Sequence, residues 1–141
     1  MSDCLFCDLA AGEAERSVAY EDDRAVAVMD LNPVNEGHLF VLPRAHAELL
    51  GELDDETGAH LFRVAMRLAA ALRRTEIRCE GVNLFLADGE AAGQEIPHVH
   101  LHVLPRYEGD PFRIDREGGW EQARRPALDR AATAIREALA A

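Results

Sequence analysis

One stretch of this chain alternates histidine with apolar residues. Residues 94–106 read QEIPHVHLHVLPR, which places His98, His100 and His102 at every second position. This alternation predicts a β-strand with one face on a hydrophobic core, because successive side chains of a strand point to opposite sides. The other face is then a row of three imidazoles, which a plain solvated strand has little reason to carry.

The spacing of the row limits its chemistry. Residues two apart on a strand lie about 6.7 Å apart at Cα, so one metal ion cannot easily bind all three rings of a straight strand. Three interpretations remain: surface histidines on a polar strand face, a metal site that uses two of the three, or a nucleophilic or acid–base site. The third is favoured because imidazole has a pKa of about 6.5 and is both basic and nucleophilic at neutral pH.

Length and charge bound the class of protein. The 141 residues, 48% of them hydrophobic, predict one soluble globular domain over residues 1–141. A net charge of −11 argues against a partner such as nucleic acid, whose backbone is anionic, but not against a small phosphorylated ligand. No apolar run approaches the roughly 20 residues that span a membrane, and no secretory signal is visible. We therefore expect a cytoplasmic protein.

The remaining pattern predicts an α+β fold. A five-stranded antiparallel sheet carries one long helix and a C-terminal helix, after a short N-terminal helical turn. The strands are expected at 17–20, 25–29, 38–42 and 82–86 and in the histidine stretch, and the helices from Asp54 or Asp55 to about Arg74 and from Pro126 onward. The long helix has an apolar stripe of Leu61, Ala65, Leu68 and Leu72, with Phe62, Met66 and Ala69 broadening it.

Two of the three cysteines form a C-x-x-C unit, Cys4 and Cys7. In an intracellular setting this unit indicates a metal or redox site, although two incidental buried cysteines are the plain alternative. The metal interpretation gains strength if two histidines complete a tetrahedral S₂N₂ set, which suits Zn²⁺. His46 and His98 are the candidates. Cys79 stands alone and is most simply a small buried hydrophobe.

Residues Gln94 to Leu104 resemble the signature of the histidine triad family, whose members include the Hint and Fhit nucleotide-binding hydrolases. Asp30, the pair Gly37-His38, the unit Pro43–His46 and the glycine-containing loop before the histidines follow in the order that the family shows. The resemblance covers most of the chain and implies the histidine triad fold.

The resemblance also implies a reaction and catalytic residues. Similar proteins release nucleoside monophosphates from phosphoramidates, acyl-adenylates or dinucleoside polyphosphates through a nucleotidyl-histidine intermediate. His100 corresponds to the nucleophile, and His102 to the residue that contacts the phosphoryl oxygens and helps the leaving group depart. A histidine rather than glutamine at 102 favours hydrolysis over transfer. His38 matches the fourth active-site histidine, with an unremarkable strand-end histidine as the alternative.

Substrate residues follow from the same resemblance. Asp30 would bind the ribose hydroxyls, which is sound carboxylate chemistry, although a turn residue before Asn-Pro is also a fair description. The base of a purine nucleotide such as AMP or GMP would lie near Leu5 and Phe6, with a place in the hydrophobic core as the alternative for these two side chains. Further expected wall or phosphate residues are Leu31, Leu39, Gly93 and Gln94.

The resemblance assigns a zinc ion to Cys4, Cys7, His46 and His98. Four protein ligands close the coordination shell, so the zinc is expected to be structural, and no catalytic metal is required. A homodimer is expected too, because similar proteins extend one sheet across a two-fold axis.

Two positions depart from the family pattern. Ala87 stands where many similar proteins have an amide that contacts the phosphate, and Glu95 stands where serine or threonine is common. These departures keep two alternatives open: a dinucleoside polyphosphate hydrolase, and a zinc-stabilised nucleotide-binding module with little turnover.

Overall fold

The structure is a computed structural model that describes residues 2–141. The chain divides into two compact units, one ending at Pro111 and the other running from Phe112 to Ala141, and each is described by itself. That residues 1–141 form one domain stays a prediction. None of the helices within residues 2–141 combines the length and the apolar character needed to cross a membrane.

The first unit contains one antiparallel sheet of five strands. The strands are β1 (Val18–Glu21), β2 (Ala25–Met29), β3 (Leu39–Pro43), β4 (Gly81–Phe85) and β5 (Leu101–Arg106). Their order is β1-β2-β3-β5-β4, so β5 lies between β3 and β4, and β1 and β4 form the edges. The predicted α+β fold with a five-stranded antiparallel sheet is confirmed.

Two helices contact the sheet, α1 (Leu5–Ala11) and α2 (Asp55–Leu72). Helix α2 begins after Asp54, whose carboxylate accepts a hydrogen bond from the Thr57 N–H at 2.7 Å, the usual capping arrangement. The side chains buried with α2 include Ala25, Ala27, Leu39, Val41, Val99, Leu101 and Val103. Those buried with α1 include Val26, Val28, Phe40 and Leu42. Neighbouring residues of β2 and β3 thus alternate between two apolar clusters.

The buried face of α2 differs in part from the predicted stripe. Leu61, Ala65, Leu68 and Leu72 are buried as predicted, and Val64 joins them. The expected broadening by Phe62 and Met66 is wrong, because these side chains are 53% and 58% exposed. The stripe broadens towards Val64 instead, since the sheet covers that side of the helix.

The histidine stretch is only partly a paired strand. β5 begins at Leu101, and the residues before it are placed by other contacts, among them a hydrogen bond from the Val99 N–H to the Ala47 carbonyl at 2.7 Å. The alternation nevertheless holds, because Val99 and Leu101 lie in the cluster with α2 and His98 and His100 do not. Side-chain direction therefore follows the sequence pattern even where strand pairing has not begun.

The second unit contains helix α3, Arg125–Ala140. Pro126 lies in its first turn, where a missing N–H removes no intrahelical hydrogen bond, as the sequence predicts.

A carboxylate ties the β1–β2 hairpin to α2. Asp22 accepts hydrogen bonds from the Tyr20 hydroxyl at 2.6 Å and from the N–H groups of Arg24 and Ala25 at 2.8 Å each. The Nε2 atom of His60, on α2, lies 2.6 Å from the same carboxylate. Burial disfavours the ionised form, but these hydrogen bonds outweigh it and hold the pKa of Asp22 well below its usual range.

We expect Asp22→Asn to lower the free energy of unfolding at pH 7 by about 1–3 kcal/mol, because an amide cannot replace all of these acceptor contacts. The folded-state pKa of Asp22 is depressed, so its contribution is present above about pH 4 and is lost progressively below that value. Denaturant unfolding at pH 7 and pH 3 measures both effects. Asp23→Asn, at the exposed neighbouring position, is the control, and equal losses for the two variants at pH 7 would contradict this role.

Candidate functional site

The three alternating histidines end in three different surroundings. His98 is completely buried beside the two cysteines near the N-terminus, His100 lies against Phe6 and Phe40, and His102 lies against His38. Three histidines at alternate positions of one stretch therefore have separate hydrogen-bond partners and neighbours.

His100 is held by one backbone carbonyl and two aromatic rings. Its Nδ1 lies 2.8 Å from the His98 carbonyl oxygen. Because a carbonyl only accepts, Nδ1 carries the proton, and Nε2 of the neutral ring keeps its lone pair. The edge-on rings of Phe6 and Phe40, with centroids 4.9 and 5.9 Å away, fix the orientation. This is the tautomer that a nucleophilic Nε2 requires.

His38 and His102 are joined by a ring-to-ring hydrogen bond whose donor and acceptor are fixed by the backbone. The Val34 N–H donates to His38 Nδ1 at 3.1 Å, and His38 Nε2 lies 2.9 Å from His102 Nδ1. Since Nδ1 of His38 accepts, the neutral ring carries its proton on Nε2 and donates it to His102. Nδ1 of His102 then accepts, which leaves its own proton on Nε2.

Burial keeps this pair neutral. It lowers the pKa of His102 to about 4, with repulsion from His100 and His38 adding to the effect and Asp30 opposing it. Burial also lowers the pKa of His38, again opposed by Asp30. Both rings are therefore neutral at pH 7, as the hydrogen-bond pattern requires.

A pocket opens beside His100 and His102. Its lining includes the predicted substrate residues Leu5, Phe6, Asp30, Leu31 and Gly93 and both departures, Ala87 and Glu95. It also includes Glu15, Arg16, Ser17, Phe40 and Phe85, which sequence reasoning missed. Phe40 was hidden because β3 is apolar throughout, so no polar alternation marks the face of the strand that turns to the pocket.

Two expected pocket residues lie elsewhere. Leu39 is buried in the cluster with α2, because it is one residue removed from Phe40 on β3 and points to the opposite face. The Gln94 side chain braces the loop before β5: its Nε2 donates to the carbonyls of Glu48 and Ile96 at 2.7 and 3.1 Å, and its Oε1 accepts from the Gly89 N–H at 2.8 Å. The substrate role of Gln94 stays a prediction.

The four predicted metal ligands converge. His98 Nδ1 lies 3.4 Å from the sulfur atoms of both Cys4 and Cys7, and 3.3 Å from His46 Nδ1, which is itself 3.3 Å from the Cys7 sulfur. In a tetrahedral zinc site, ligand edges are about 3.3 Å between nitrogens and about 3.5 Å between sulfur and nitrogen, from bond lengths of about 2.0 and 2.3 Å. The observed spacings fit a zinc ion closely.

The hydrogen bonds around the cluster also suit a metal. His98 Nε2 lies 2.9 Å from the Pro43 carbonyl and must donate to it, so Nδ1 presents its lone pair to the cluster. The Cys7 N–H donates to the Cys4 sulfur at 3.4 Å. Burial, with the neighbouring Cys4 and Asp8, raises the pKa of Cys7 to about 11, so zinc must displace a proton from this thiol on binding.

The HIT domain family model matches residues 11–109. The chain belongs to the histidine triad (HIT) family. The match lies within the first compact unit and does not include Cys4 or Cys7.

Relatives of this HIT protein are found in bacteria and plants. An uncharacterized HIT-like protein of Borreliella burgdorferi is 38% identical over 117 residues, which is 82% of this chain and 84% of that protein. The adenylylsulfatase HINT3 of Arabidopsis thaliana is 33% identical over 109 residues, which is 77% of this chain and 55% of that protein.

Solved structures agree with the fold. A Streptococcus mutans protein superposes with a TM-score of 0.90 at 31% identity, covering 99% of this chain and 87% of that one. A zinc-bound histidine triad family protein from Mycobacterium smegmatis has a TM-score of 0.76 at 32% identity, covering 94% and 97%. A HIT family hydrolase from Legionella pneumophila has a TM-score of 0.64 at 29% identity, covering 77% and 98%. The zinc-bound relative and the Cys/His cluster together indicate zinc binding in this HIT protein.

Asp30, His38 and His102 form a second group of side chains of the kinds that bind metals, and two of them, Asp30 and His102, line the pocket. His38 Nε2 is 3.5 Å and His102 Nδ1 is 4.0 Å from Asp30 Oδ2. A metal on His38 Nε2 would need the proton on Nδ1, where the Val34 N–H already donates. The backbone therefore prepares the Cys/His cluster for a metal and opposes one here.

We expect about one zinc ion per chain of the purified protein, and loss of zinc in Cys4→Ser and Cys7→Ser, because a hydroxyl is a poor replacement for a thiolate ligand. Elemental analysis of the folded proteins measures this. Cys79→Ser is the matched control, since Cys79 lies outside the cluster and should leave the zinc content unchanged. Full zinc in all three variants would refute the site.

Proposed function

We propose that this HIT protein hydrolyses nucleoside phosphoramidates and related nucleotidyl compounds through a nucleotidyl-His100 intermediate. The observation that carries the proposal is the state of His100: its Nδ1–H is bound to the His98 carbonyl, which leaves a basic Nε2 on a ring that lines the pocket. Membership of the HIT family and the solved HIT family hydrolase support the reaction class.

In the proposed first step, Nε2 of His100 attacks the α-phosphorus, and the bond from phosphorus to the leaving group breaks. His102 transfers its Nε2 proton to the departing nitrogen or oxygen as that bond breaks, and the negative charge left on its ring is balanced by the positive charge of the phosphorylated His100 imidazolium. In the second step, a water oxygen attacks the same phosphorus and gives one proton to Nε2 of His102. The bond from phosphorus to Nε2 of His100 breaks, which releases the nucleoside monophosphate and restores neutral His100. Two substitutions with a good nucleophile replace one difficult hydrolysis.

The nucleoside is assigned to the part of the pocket formed by Asp30 and the exposed leucines. Oδ1 of Asp30 accepts the Asn32 N–H at 2.8 Å, which fixes the carboxylate and leaves Oδ2 to accept from ribose hydroxyls. Leu5 and Leu31 are 53% and 89% exposed, and a base between them would cover apolar surface that water now contacts. A purine, as in AMP or GMP, offers a larger apolar face to these leucines than a pyrimidine does.

Charge in the pocket favours leaving groups that are not anionic. Glu15, Asp30 and Glu95 line it, whereas its one lining arginine, Arg16, donates to the Leu9 carbonyl at 2.9 Å. None of the described ion pairs involves Glu95. We assign the leaving group to the loop between β4 and β5, which contributes Glu95, so an anionic leaving group would meet an uncompensated carboxylate. A phosphoramidate therefore fits better than a dinucleoside polyphosphate.

The zinc ion is proposed to be structural. The two sulfurs and two nitrogens fill a tetrahedral shell and leave no open position for substrate. The ion would tie Cys4 and Cys7, and with them Phe6, to His98. Because His100 follows His98 by two residues, this link would keep Phe6 beside His100. The reaction at His100 uses only protein groups and water.

A homodimer is proposed through β4 and α2. β4 is an edge strand with exposed Leu84 and Phe85, and the exposed Phe62 and Met66 of α2 add apolar surface. Pairing of two β4 edges would satisfy backbone groups and cover this surface.

Sedimentation equilibrium should give the mass of a dimer for the wild type and a weaker dimer for Met66→Asp; a wild-type monomer at micromolar concentration would refute the proposal.

We expect turnover of adenosine 5′-phosphoramidate by the wild type and a loss of at least about 10³-fold in kcat/KM for His100→Ala, because the nucleophile is removed. Release of AMP, followed by chromatography, measures this. His60→Ala, which removes a histidine of α2 outside the pocket, is the control for general effects. Binding of AMP without any turnover would leave only the nucleotide-binding alternative.

The same assay with a diadenosine polyphosphate and with adenylyl sulfate tests the assignment of the leaving group. The wild type should prefer the phosphoramidate, and Glu95→Gln should raise kcat/KM for the two anionic leaving groups by about 3- to 10-fold, since one repulsive charge is removed. A wild-type preference for the polyphosphate, unchanged by Glu95→Gln, would favour the Fhit-like alternative instead.

A further inference from the structure

The turn before β3 holds His38 from two sides. The His38 N–H donates to the Asn35 carbonyl at 3.1 Å, and the Val34 N–H donates to the His38 ring at 3.1 Å. Gly37 completes the turn with a φ of 92°, a conformation that side-chain-bearing residues rarely adopt. The proton on His38 therefore depends on the backbone of a surface turn, which needs an anchor of its own.

The anchor is the side chain of Asn35, which is only 6% exposed. Its Nδ2 donates one hydrogen to the Pro105 carbonyl and one to Asp110 Oδ2, both at 2.9 Å. Asn35 therefore joins the turn to the end of β5, the strand that carries His102. No sequence pattern connects these positions, which lie 75 residues apart in the case of Asp110.

Asp110 is in turn fixed as a carboxylate. It is 2% exposed and accepts two hydrogen bonds from Arg106, one from Nε at 2.6 Å and one from a terminal nitrogen at 2.8 Å. The Arg106 hydrogen bond, helped by the Tyr107 N–H and Asn35 and opposed by burial, holds the pKa of Asp110 well below its usual range. A permanently ionised acceptor of this kind can orient the Asn35 amide in one way only, with its N–H groups towards Asp110 and Pro105.

We propose that Asn35 and Asp110 are positioning residues that fix the proton order of the His38–His102 pair. The proposal rests on the proposed function for its consequence, since the proton that His102 carries on Nε2 is the one given to the leaving group. If the turn loosens, His38 Nδ1 loses its donor and can carry the proton itself. His38 Nε2 then becomes an acceptor, and His102 must donate from Nδ1, which removes the proton from Nε2.

Long-range ¹H–¹⁵N spectra of the histidine rings test this without any turnover. The zinc-loaded protein is used at about pH 7.5, where imidazole is largely neutral. His38→Gln and His102→Gln assign the signals. The wild type should show the Nε2–H tautomer for both rings, and Asn35→Ala should give a mixture or the Nδ1–H form. Asp110→Asn should act in the same direction.

Two control variants separate positioning from general stability. Asn83→Ala removes a 2.6 Å hydrogen bond to Arg106 without touching the turn, and Asp22→Asn removes a carboxylate with a depressed pKa from the hairpin. Both should keep the wild-type tautomers. If Asn35→Ala does not fold, Asn35→Ser makes the smaller change. Unchanged Nε2–H tautomers in folded Asn35 and Asp110 variants, or an Nδ1–H form in the wild type, would overturn the proposal.

A kinetic comparison adds the functional consequence. Asn35→Ala should lower kcat/KM about 10- to 100-fold for an alkylamine phosphoramidate, whose leaving nitrogen needs a proton. It should lower kcat/KM by no more than about 2-fold for a p-nitrophenyl ester of AMP, whose leaving group departs as an anion. Equal losses for both substrates would mean a structural role only. If the wild type cleaves neither compound, the proposed function fails, whereas the spectra still decide the positioning role.

Discussion

The candidate site depends on which face of the histidine stretch is buried under α2. Val99, Leu101 and Val103 are each less than a tenth exposed in the cluster with that helix, so the residues between them must point to the other side of the sheet. A shift of one residue would place imidazoles under α2 and apolar side chains in the pocket, at a large cost in free energy. The hydrophobic core therefore aims the histidines, although none of them belongs to it.

Backbone groups then give each histidine a different chemistry. A neutral imidazole has one donor and one acceptor, so a single hydrogen bond from one nitrogen decides what the other can do. The Pro43 carbonyl leaves the lone pair of His98 Nδ1 available to the Cys/His cluster, and the His98 carbonyl leaves the lone pair of His100 Nε2 available to the pocket, as the proposed roles of these histidines require. The Val34 N–H donates to Nδ1 of His38, so His38 carries its proton on Nε2. That proton is donated to Nδ1 of His102, which leaves the proton of His102 on Nε2. Identical side chains thus carry their protons on different nitrogen atoms because of the fixed backbone groups around them.

Much of this could be predicted from the chain because the signals are local. Period-two alternation predicted the strand and its two faces, and a capping Asp54 predicted the start of α2. The wrong extension of the α2 stripe to Phe62 and Met66 shows the limit of such signals. An apolar stripe fixes the centre of a buried helix face, but the edge that is covered depends on where the sheet lies.

The sequence alone determined the sheet, the histidine row, the C-x-x-C unit and, through a resemblance, the family. These are properties of short segments, where spacing along the chain equals spacing in the structure. Tertiary structure decided the rest. The approach of Cys4 to His98, the turn of Gln94 away from the pocket and the bond from Asn35 to Asp110 each join distant segments or depend on a local backbone path. Hydrogen bonds are short and directional, so only the folded chain determines which of the many polar groups become partners.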